Sequence, residues 1–355
     1  MNEYLIPAVV ARQFMPNQSP AHLTLLGNGL INDTYLVAHQ NFQWVLQRIN
    51  RQVFPEPLLL LDNLQQLIDH AASKSDTPNL LQIPKLFHAP DRQFCVIDAE
   101  GNYWRALEFI PNSYSKEQCE HLKDAEQIGR ALGYFHALCS DLEPDRLHDT
   151  LPGFHIAPNY YQAYLQALSS AENIPGDDAY RFCVSYIEQR ESVINVLETA
   201  KHSGQLKLRV MHGDPKVNNF LFDRERECVI SLIDLDTVKP GLIHYDLGDC
   251  LRSACFDKEA AEMFNVELCE AILKSYLAEA EHFFADADYD YLYPAIQLIP
   301  LELGIRFFCD YLLGNRYFKV TEPLQNLHRA VQQFQLCSSI ERQGNSLSQV
   351  IRRLR

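Results

Sequence analysis

Positive charge is scarce and scattered in this chain: of 31 lysines and arginines, only Arg352 and Arg353 are neighbours. Set against 46 acidic residues this gives a net charge of −15, which excludes the basic stripe that nucleic acid or an anionic membrane surface requires. No unbroken apolar run reaches the roughly eighteen residues of a membrane span. The start, Met1-Asn2-Glu3-Tyr4, has no basic segment leading into an apolar stretch, so no secretory leader is predicted. The 10 cysteines form no CxxC pair, which argues against a zinc site or disulfide frame and predicts reduced core thiols. These absences predict a soluble, cytoplasmic protein with neither nucleic acid nor membrane as partner. Repeats and low-complexity linkers are missing too. What is present is 355 residues at 47% hydrophobic content, enough for two lobes with real cores.

Residues 1–110 have the pattern of a small mixed lobe. His22-Leu-Thr-Leu-Leu26 enters Gly27-Asn28-Gly29, and Thr34-Tyr-Leu-Val37 leaves it. Trp44-Val-Leu-Gln-Arg-Ile49, Phe94-Cys-Val-Ile97 and Trp104-Arg-Ala-Leu-Glu-Phe-Ile110 complete a predicted five-stranded antiparallel sheet, with helical spacing over 58–72. Pro111-Asn112-Ser113 breaks the pattern and begins a second, mainly helical lobe over 111–355. There, 117–139 is one amphipathic segment, 156–201 holds two helices, and others cover 258–285, 290–314 and 323–343. The polar end beyond Gln343 is predicted to fray. The class is α+β.

Between those helices lies the most informative run, His212-Gly-Asp-Pro-Lys-Val-Asn-Asn219, followed by Ile233-Asp234. Leu206-Lys-Leu-Arg-Val-Met211 alternates into it, Phe220-Leu-Phe222 leaves it, and Cys228-Val-Ile-Ser-Leu-Ile233 runs back, predicting a hairpin that gathers Asp214, Asn219 and Asp234 at one end of one small sheet. Phosphoryl transfer from Mg-ATP needs that set: one carboxylate facing the attacking hydroxyl, and an amide oxygen with a second carboxylate holding metal against phosphates. Taken singly, Asp214 and Asp234 are equally well explained as a turn cap and a strand end. Gly27-Asn28-Gly29 lies between strands where backbone amides can cover phosphates, and a plain hairpin turn fits the same residues.

The layout and the HGDPKVNN run resemble the aminoglycoside phosphotransferase and choline kinase superfamily, which has a protein-kinase-like fold of two lobes. Val45-Leu-Gln-Arg-Ile-Asn50, Asp234-Leu-Asp-Thr-Val-Lys-Pro-Gly241, Tyr245-Asp-Leu-Gly-Asp-Cys-Leu-Arg252 and the string from Arg306 to Lys319 resemble the N-acetylhexosamine 1-kinase group more closely. The resemblance implies that Asp214 orients or deprotonates the acceptor hydroxyl, that Asn219 and Asp234 bind Mg, and that Lys216 touches the transferring phosphate, unless it is only a solvated loop lysine. His212 is expected to orient the loop and not to act as base. Asn32-Asp33-Thr34 resembles the nucleotide loop of choline-kinase relatives, Arg48 takes the place of the strand cation that meets the phosphates, and Asp62 or Asp69 is expected to pair with it. Glu108-Phe109-Ile110 is expected to be the hinge that binds adenine through its backbone. Asp246 and Asp249 are expected to cap the amides of the catalytic run. Asp236 contacts substrate or a second metal, or else caps a turn. Arg306, Asp310, Arg316 and Tyr317 are expected by the sugar pocket, with a simple ion pair on one helix face as the alternative for the first two. The implied reaction transfers a phosphoryl group from ATP to a sugar hydroxyl, the anomeric one of GlcNAc or GalNAc. Its rivals are an aminoglycoside, choline, homoserine or other hexose kinase, and a silent nucleotide-binding regulator.

Overall fold

Alternation builds the first third of the molecule, as seen in a computed structural model that describes residues 5–15, 22–27, 31–40, 42–74, 81–89, 93–170 and 177–355. Six antiparallel strands form its sheet: β1 (His22–Leu25), β2 (Asp33–His39), β3 (Phe42–Arg48), β4 (Leu86–Phe87), β5 (Val96–Ile97) and β6 (Tyr103–Glu108). Their order is β1-β2-β3-β6-β4, with β5 also against β6. β4 is the strand that the five-stranded expectation lacks; at two residues it is too short to show a period. Tyr35, Val37, Trp44 and Leu46 point to one face, which helix α1 (Leu5–Phe14) covers with Val10, Ala11 and Phe14. Gln47 and Arg105 stand opposite each other in register on the strands β3 and β6.

Helix α2 (Pro57–Ser73) starts at a proline suited to a first turn and buries Leu60, Leu61, Leu64 and Leu67. These leucines share a core with Phe220, Leu232 and Leu235, so the helix is packed on the catalytic run as well as on the sheet. Asn63 on the same helix donates to the carbonyls of His148 (2.9 Å) and Val238 (3.0 Å). Strand β7 (Ser113–Ser115) then leads to helix α3 (Leu122–Leu138), so the helical segment predicted from 117 starts later.

Four helices, not two, follow: α4 (Ala157–Ser170), α5 (Asp178–Glu188), α6 (Glu191–Ile194) and α7 (Val196–His202). Asn195 ends α6 and begins α7, a break that apolar spacing alone does not reveal. Next come β8 (Arg209–Met211), β9 (Phe220–Asp223), β10 (Val229–Leu232) and β11 (Lys239–Gly241). They form two small sheets where one was predicted. β9 lies between β10 and β7, while β8 pairs with β11.

The remainder is helical: α8 (Ile243–Ala254), α9 (Val266–Ala280), α10 (Asp286–Asp290), α11 (Leu292–Leu312), α12 (Gln325–Arg342) and α13 (Gly344–Leu354). Gly129 lets α3 approach α9 closely, since a Cβ there would lie 2.1 Å from the Ile272 carbonyl oxygen. By length and composition α11 is apolar enough to cross a membrane, yet it packs mainly against α4, α8 and α12 as a core helix. The fraying expected at the C-terminus is corrected by α13. Leu347, Val350 and Ile351 bury one face, and Arg353 and Arg355 pair with Glu270 and Asp286.

Candidate active site

The catalytic run is held from behind by one buried carboxylate. Asp246, at the start of α8, accepts from the backbone N–H of His212 (2.6 Å) and of Gly213 (2.8 Å), and its ring partner is His136 at 2.8 Å. Gly213 has φ +91°, and a Cβ would lie 2.7 Å from Thr237, so the turn needs glycine. His212 meets the Ile233 carbonyl with Nε2 at 3.1 Å and accepts from the Asp214 N–H through Nδ1 at 3.2 Å. Because a carbonyl only accepts, Nε2 carries the hydrogen and the ring is neutral. Burial lowers its pKa, in keeping with that tautomer. His212 thus orients the loop as expected. Asp249 does not join Asp246 in capping; one helical turn on, it pairs with Arg252 at 2.7 Å.

On this frame Asp214, Lys216, Asn219 and Asp234 come together. Lys216 Nζ lies 2.5 Å from Asp214 Oδ2 and 4.0 Å from Asp234 Oδ2. Burial opposes the lysine's charge, but the Asp214 and Asp234 carboxylates outweigh it and hold the group above the ordinary lysine range. Asn219 Nδ2 donates to the Asp214 carbonyl (2.7 Å) and to its Oδ2 (3.2 Å). With the amide nitrogen so engaged, its Oδ1 is left as an acceptor. Asp234 sits in the left-handed region at φ 64°, ψ 49°, a conformation that persists only where the surroundings enforce it. Here the Ile233 N–H donates to the Asn219 carbonyl at 3.0 Å. Burial on its inner side, with the Asp214 and Asp236 charges, pushes Asp234 up to about 6. Its side chain remains 41% open, so solvent tempers that push.

Several neighbours take places that local spacing did not predict. Asp236 is 3% exposed and wholly occupied: Arg105 pairs with Oδ1, and Asn32 donates to Oδ2 at 2.7 Å. Its expected contact with substrate or a second metal is therefore corrected to a buried clamp between sheet and catalytic run. Asn32 also accepts from the Asn50 N–H at 3.0 Å, and Thr34 Oγ1 accepts from Gln47 at 3.0 Å. Arg48 follows Gln47 on β3 and pairs with Asp33, its register partner on β2, with Nε 2.7 Å from Oδ2. Its partner is thus a strand residue, not Asp62 or Asp69, which bond to Gln66 and Gln65 on their own helix. The buried cation beside the catalytic run is Arg105, whose signal was a lone charge in an apolar strand. Gly27 has φ +72°, and Asn28 and Gly29 lie outside the described residues. Glu108 closes β6, and Phe109 and Ile110 lead straight to β7, which pairs with β9 of the catalytic hairpin.

Beyond the run, Arg306 lies within 5.0 to 5.7 Å of the Tyr160, Phe154 and Phe318 rings. It forms no helix-face pair with Asp310, which accepts from the backbone N–H groups of Arg316, Tyr317 and Phe318 at 2.8 to 2.9 Å. Asp310 therefore shapes the loop that presents Tyr317, itself 54% exposed, and has no free oxygen for substrate: Asn326 also donates to Oδ2. His155 and Glu302, unpredicted, join this region to the run: His155 meets the Gly213 carbonyl at 3.0 Å and Glu302 at 3.1 Å.

An antiparallel sheet joined by one strand to a helical part, with a carboxylate, a lysine and an Asn/Asp oxygen pair on the joining hairpin, defines a protein-kinase-like phosphotransferase. The comparisons agree. A model of the phosphotransferase enzyme family (APH) matches residues 22–283, and the chain belongs to that family: it is a small-molecule kinase. Its fold is similar to that of an aminoglycoside phosphotransferase from Alicyclobacillus acidocaldarius (TM-score 0.65, 16% identity, 97% of each chain covered). It is also similar to an amicoumacin kinase solved with AMP-PNP and Ca2+ (TM-score 0.63, 15% identity, 94% of this chain and 93% of that one). A choline kinase from Cryptosporidium parvum aligns with TM-score 0.58 at 16% identity, over 95% of this chain and 93% of that one.

Proposed function

We infer that this kinase transfers the γ-phosphoryl group of ATP to the anomeric hydroxyl of an N-acetylhexosamine, GlcNAc or GalNAc, giving the sugar 1-phosphate. The observation that carries the phosphoryl-transfer part is the cluster of Asp214, Lys216, Asn219 and Asp234 on one buried frame. Asp214 would align the acceptor hydroxyl and take its proton, and Lys216 would offset charge on the transferring oxygens. In a loose transition state such positioning and electrostatics outweigh base strength.

Mg is the ion this donor set suits. Asn219 Oδ1 and Asp234 supply two hard oxygens, and Mg is ordinarily held by one or two carboxylates plus substrate phosphates. When bound, it would neutralise charge between the β- and γ-phosphates. For the nucleotide, Gly27 and Thr34 would lie by the phosphates, with Arg48 at the edge and Glu108 to Ile110 along adenine, while Asn32 braces that loop through Asp236 and Asn50.

The sugar reading is supported by the wall beside the run. Arg306, held among three rings, and the exposed Tyr317 offer a guanidinium and an aromatic face, which suit hydroxyls and ring hydrogens. The test is phosphorus NMR of purified protein with Mg-ATP and a panel of free sugars, amino alcohols and aminoglycosides. A new anomeric sugar-phosphate signal with GlcNAc or GalNAc supports the proposal. A phosphate on a primary hydroxyl, or on a non-sugar acceptor, overturns the substrate while leaving the phosphotransferase.

A further inference from the structure

The peptide that carries Asp214 is gripped on both sides. Its N–H donates to neutral His212, and its carbonyl, that of Gly213, faces Nε2 of His155 at 3.0 Å. The other ring nitrogen of His155, Nδ1, is 3.1 Å from Glu302 Oε1. The two residues are buried, at 4% and 1% exposure. A carbonyl and a carboxylate both accept, so both ring nitrogens must donate, and the bridge is an imidazolium. The arrangement is enforced: His155 is held at φ +60° and stacks at 5.4 Å on Tyr245.

The groups around it favour the charge. Glu302 reaches it from α11, Asp249 acts on it from α8, and Tyr160 of α4 meets its backbone. Burial opposes the charge, but the Glu302 carboxylate outweighs it and raises the ring above the ordinary histidine value. Burial opposes the charge of Arg306, one turn along α11, while Tyr160 and the same Glu302 carboxylate favour it. Glu302 Oε2 is buried and has no hydrogen-bond partner among the described residues, so its charge is answered chiefly by His155 and Arg306.

We propose that protonated His155 is a positioning residue: held by Glu302, it fixes the Gly213–Asp214 peptide, aims the Asp214 carboxylate and ties the catalytic run to α11. The proposal rests on the reading of Asp214 as the group that meets the acceptor hydroxyl. Its role is distinct from that of Asp246, which holds the amide side of the same turn.

The test uses the intact protein. Nitrogen-15 NMR of the histidine rings, with His155→Gln identifying the signal, should show a doubly protonated ring at pH 7.5, where exposed histidines are neutral. Glu302→Gln should make that ring neutral. Turnover in His155→Ala should fall about 10- to 100-fold with Mg-AMP-PNP affinity unchanged, the loss expected when a reacting group is misaimed. Glu302→Gln should recover most of what Glu302→Ala loses, since an amide can donate to Nδ1 while Nε2–H still reaches Gly213. Wild-type turnover should fall as pH rises through the raised value of the ring, and Glu302→Gln should lack that fall. A neutral ring at pH 7.5, or wild-type turnover in His155→Ala, overturns the proposal. If His155→Ala does not fold, the ring spectrum and the Glu302→Gln pH profile decide. Wild-type protein inactive on every acceptor would count against the reading of Asp214, while the ring spectrum would still decide the bridge.

Discussion

The guanidinium of Arg105, in the middle of β6, meets the carboxylate of Asp236, two residues past Asp234, and both side chains are almost wholly buried. Arg105 also donates to Gln47 of β3 at 2.8 and 3.0 Å, and Asn32 donates to the other Asp236 oxygen. Two strands of the sheet and the loop before β2 are thereby fastened to the segment that carries Asp234. Asp236→Ala should cost about 3 to 5 kcal/mol of stability, because it leaves a buried guanidinium unpaired. Urea unfolding of the two proteins measures it. A difference below about 1 kcal/mol would mean that the pair is solvated and not buried.

Asp214 and Asp234 should separate under mutation. Asp214→Asn should lower turnover about 10²- to 10⁴-fold while retaining nucleotide binding, since only the acceptor side is altered. Asp234→Ala should lose metal-dependent nucleotide binding as well. Calorimetric titration with Mg-AMP-PNP alongside steady-state turnover distinguishes the two; normal turnover in Asp214→Asn would sink its assignment.

Asp310 should act on the acceptor through the loop it caps. Asp310→Ala removes the acceptor of three backbone N–H groups at 316–318, releasing the segment that presents Tyr317. KM for the acceptor should rise about 10-fold, the equivalent of one hydrogen bond or so of lost order, with kcat changing less. Steady-state kinetics at saturating ATP reads the split. An unchanged KM would remove the 316–318 loop from the acceptor site.

Acid should destabilise the fold through His244. Its Nε2 is 3.0 Å from the Asp288 carbonyl and so carries the hydrogen, leaving Nδ1 buried with no partner among the described residues. Burial holds this ring down at about 4 against an ordinary value of 6.5. Between those values the unfolded chain binds a proton there and the folded chain does not. The contribution is complete above the ordinary value and is lost as pH falls, by about 3 kcal/mol at most. His244→Gln keeps a donor for Asp288 and cannot titrate. Its stability should therefore fall less than the wild type's between pH 7 and 4.5 in urea melts, and equal falls would contradict the assignment.

Local spacing was enough for the catalytic run and its hairpin. Asp214, Lys216 and Asn219 share one loop, and β9 and β10 pair across a short turn, so backbone geometry alone brings Asp234 back to them. The long amphipathic helices were legible for the same reason, since a buried stripe repeats within the element. Side chains that meet across more than a hundred residues carry no such period. Arg105 and Asp236, or His155 and Glu302, become partners only when sheet, loop and α11 converge, because a buried charge must find an opposite one wherever packing brings it. Asp246 and Asp249 show the limit well: three apart on α8, they share nearly one face, and the step of about 4.5 Å along the axis set Asp246 beside the amides of the run and left Asp249 to Arg252. α13 follows the same logic. Polar by composition, it is a helix because α9 and its neighbours offer an apolar surface for Leu347, Val350 and Ile351.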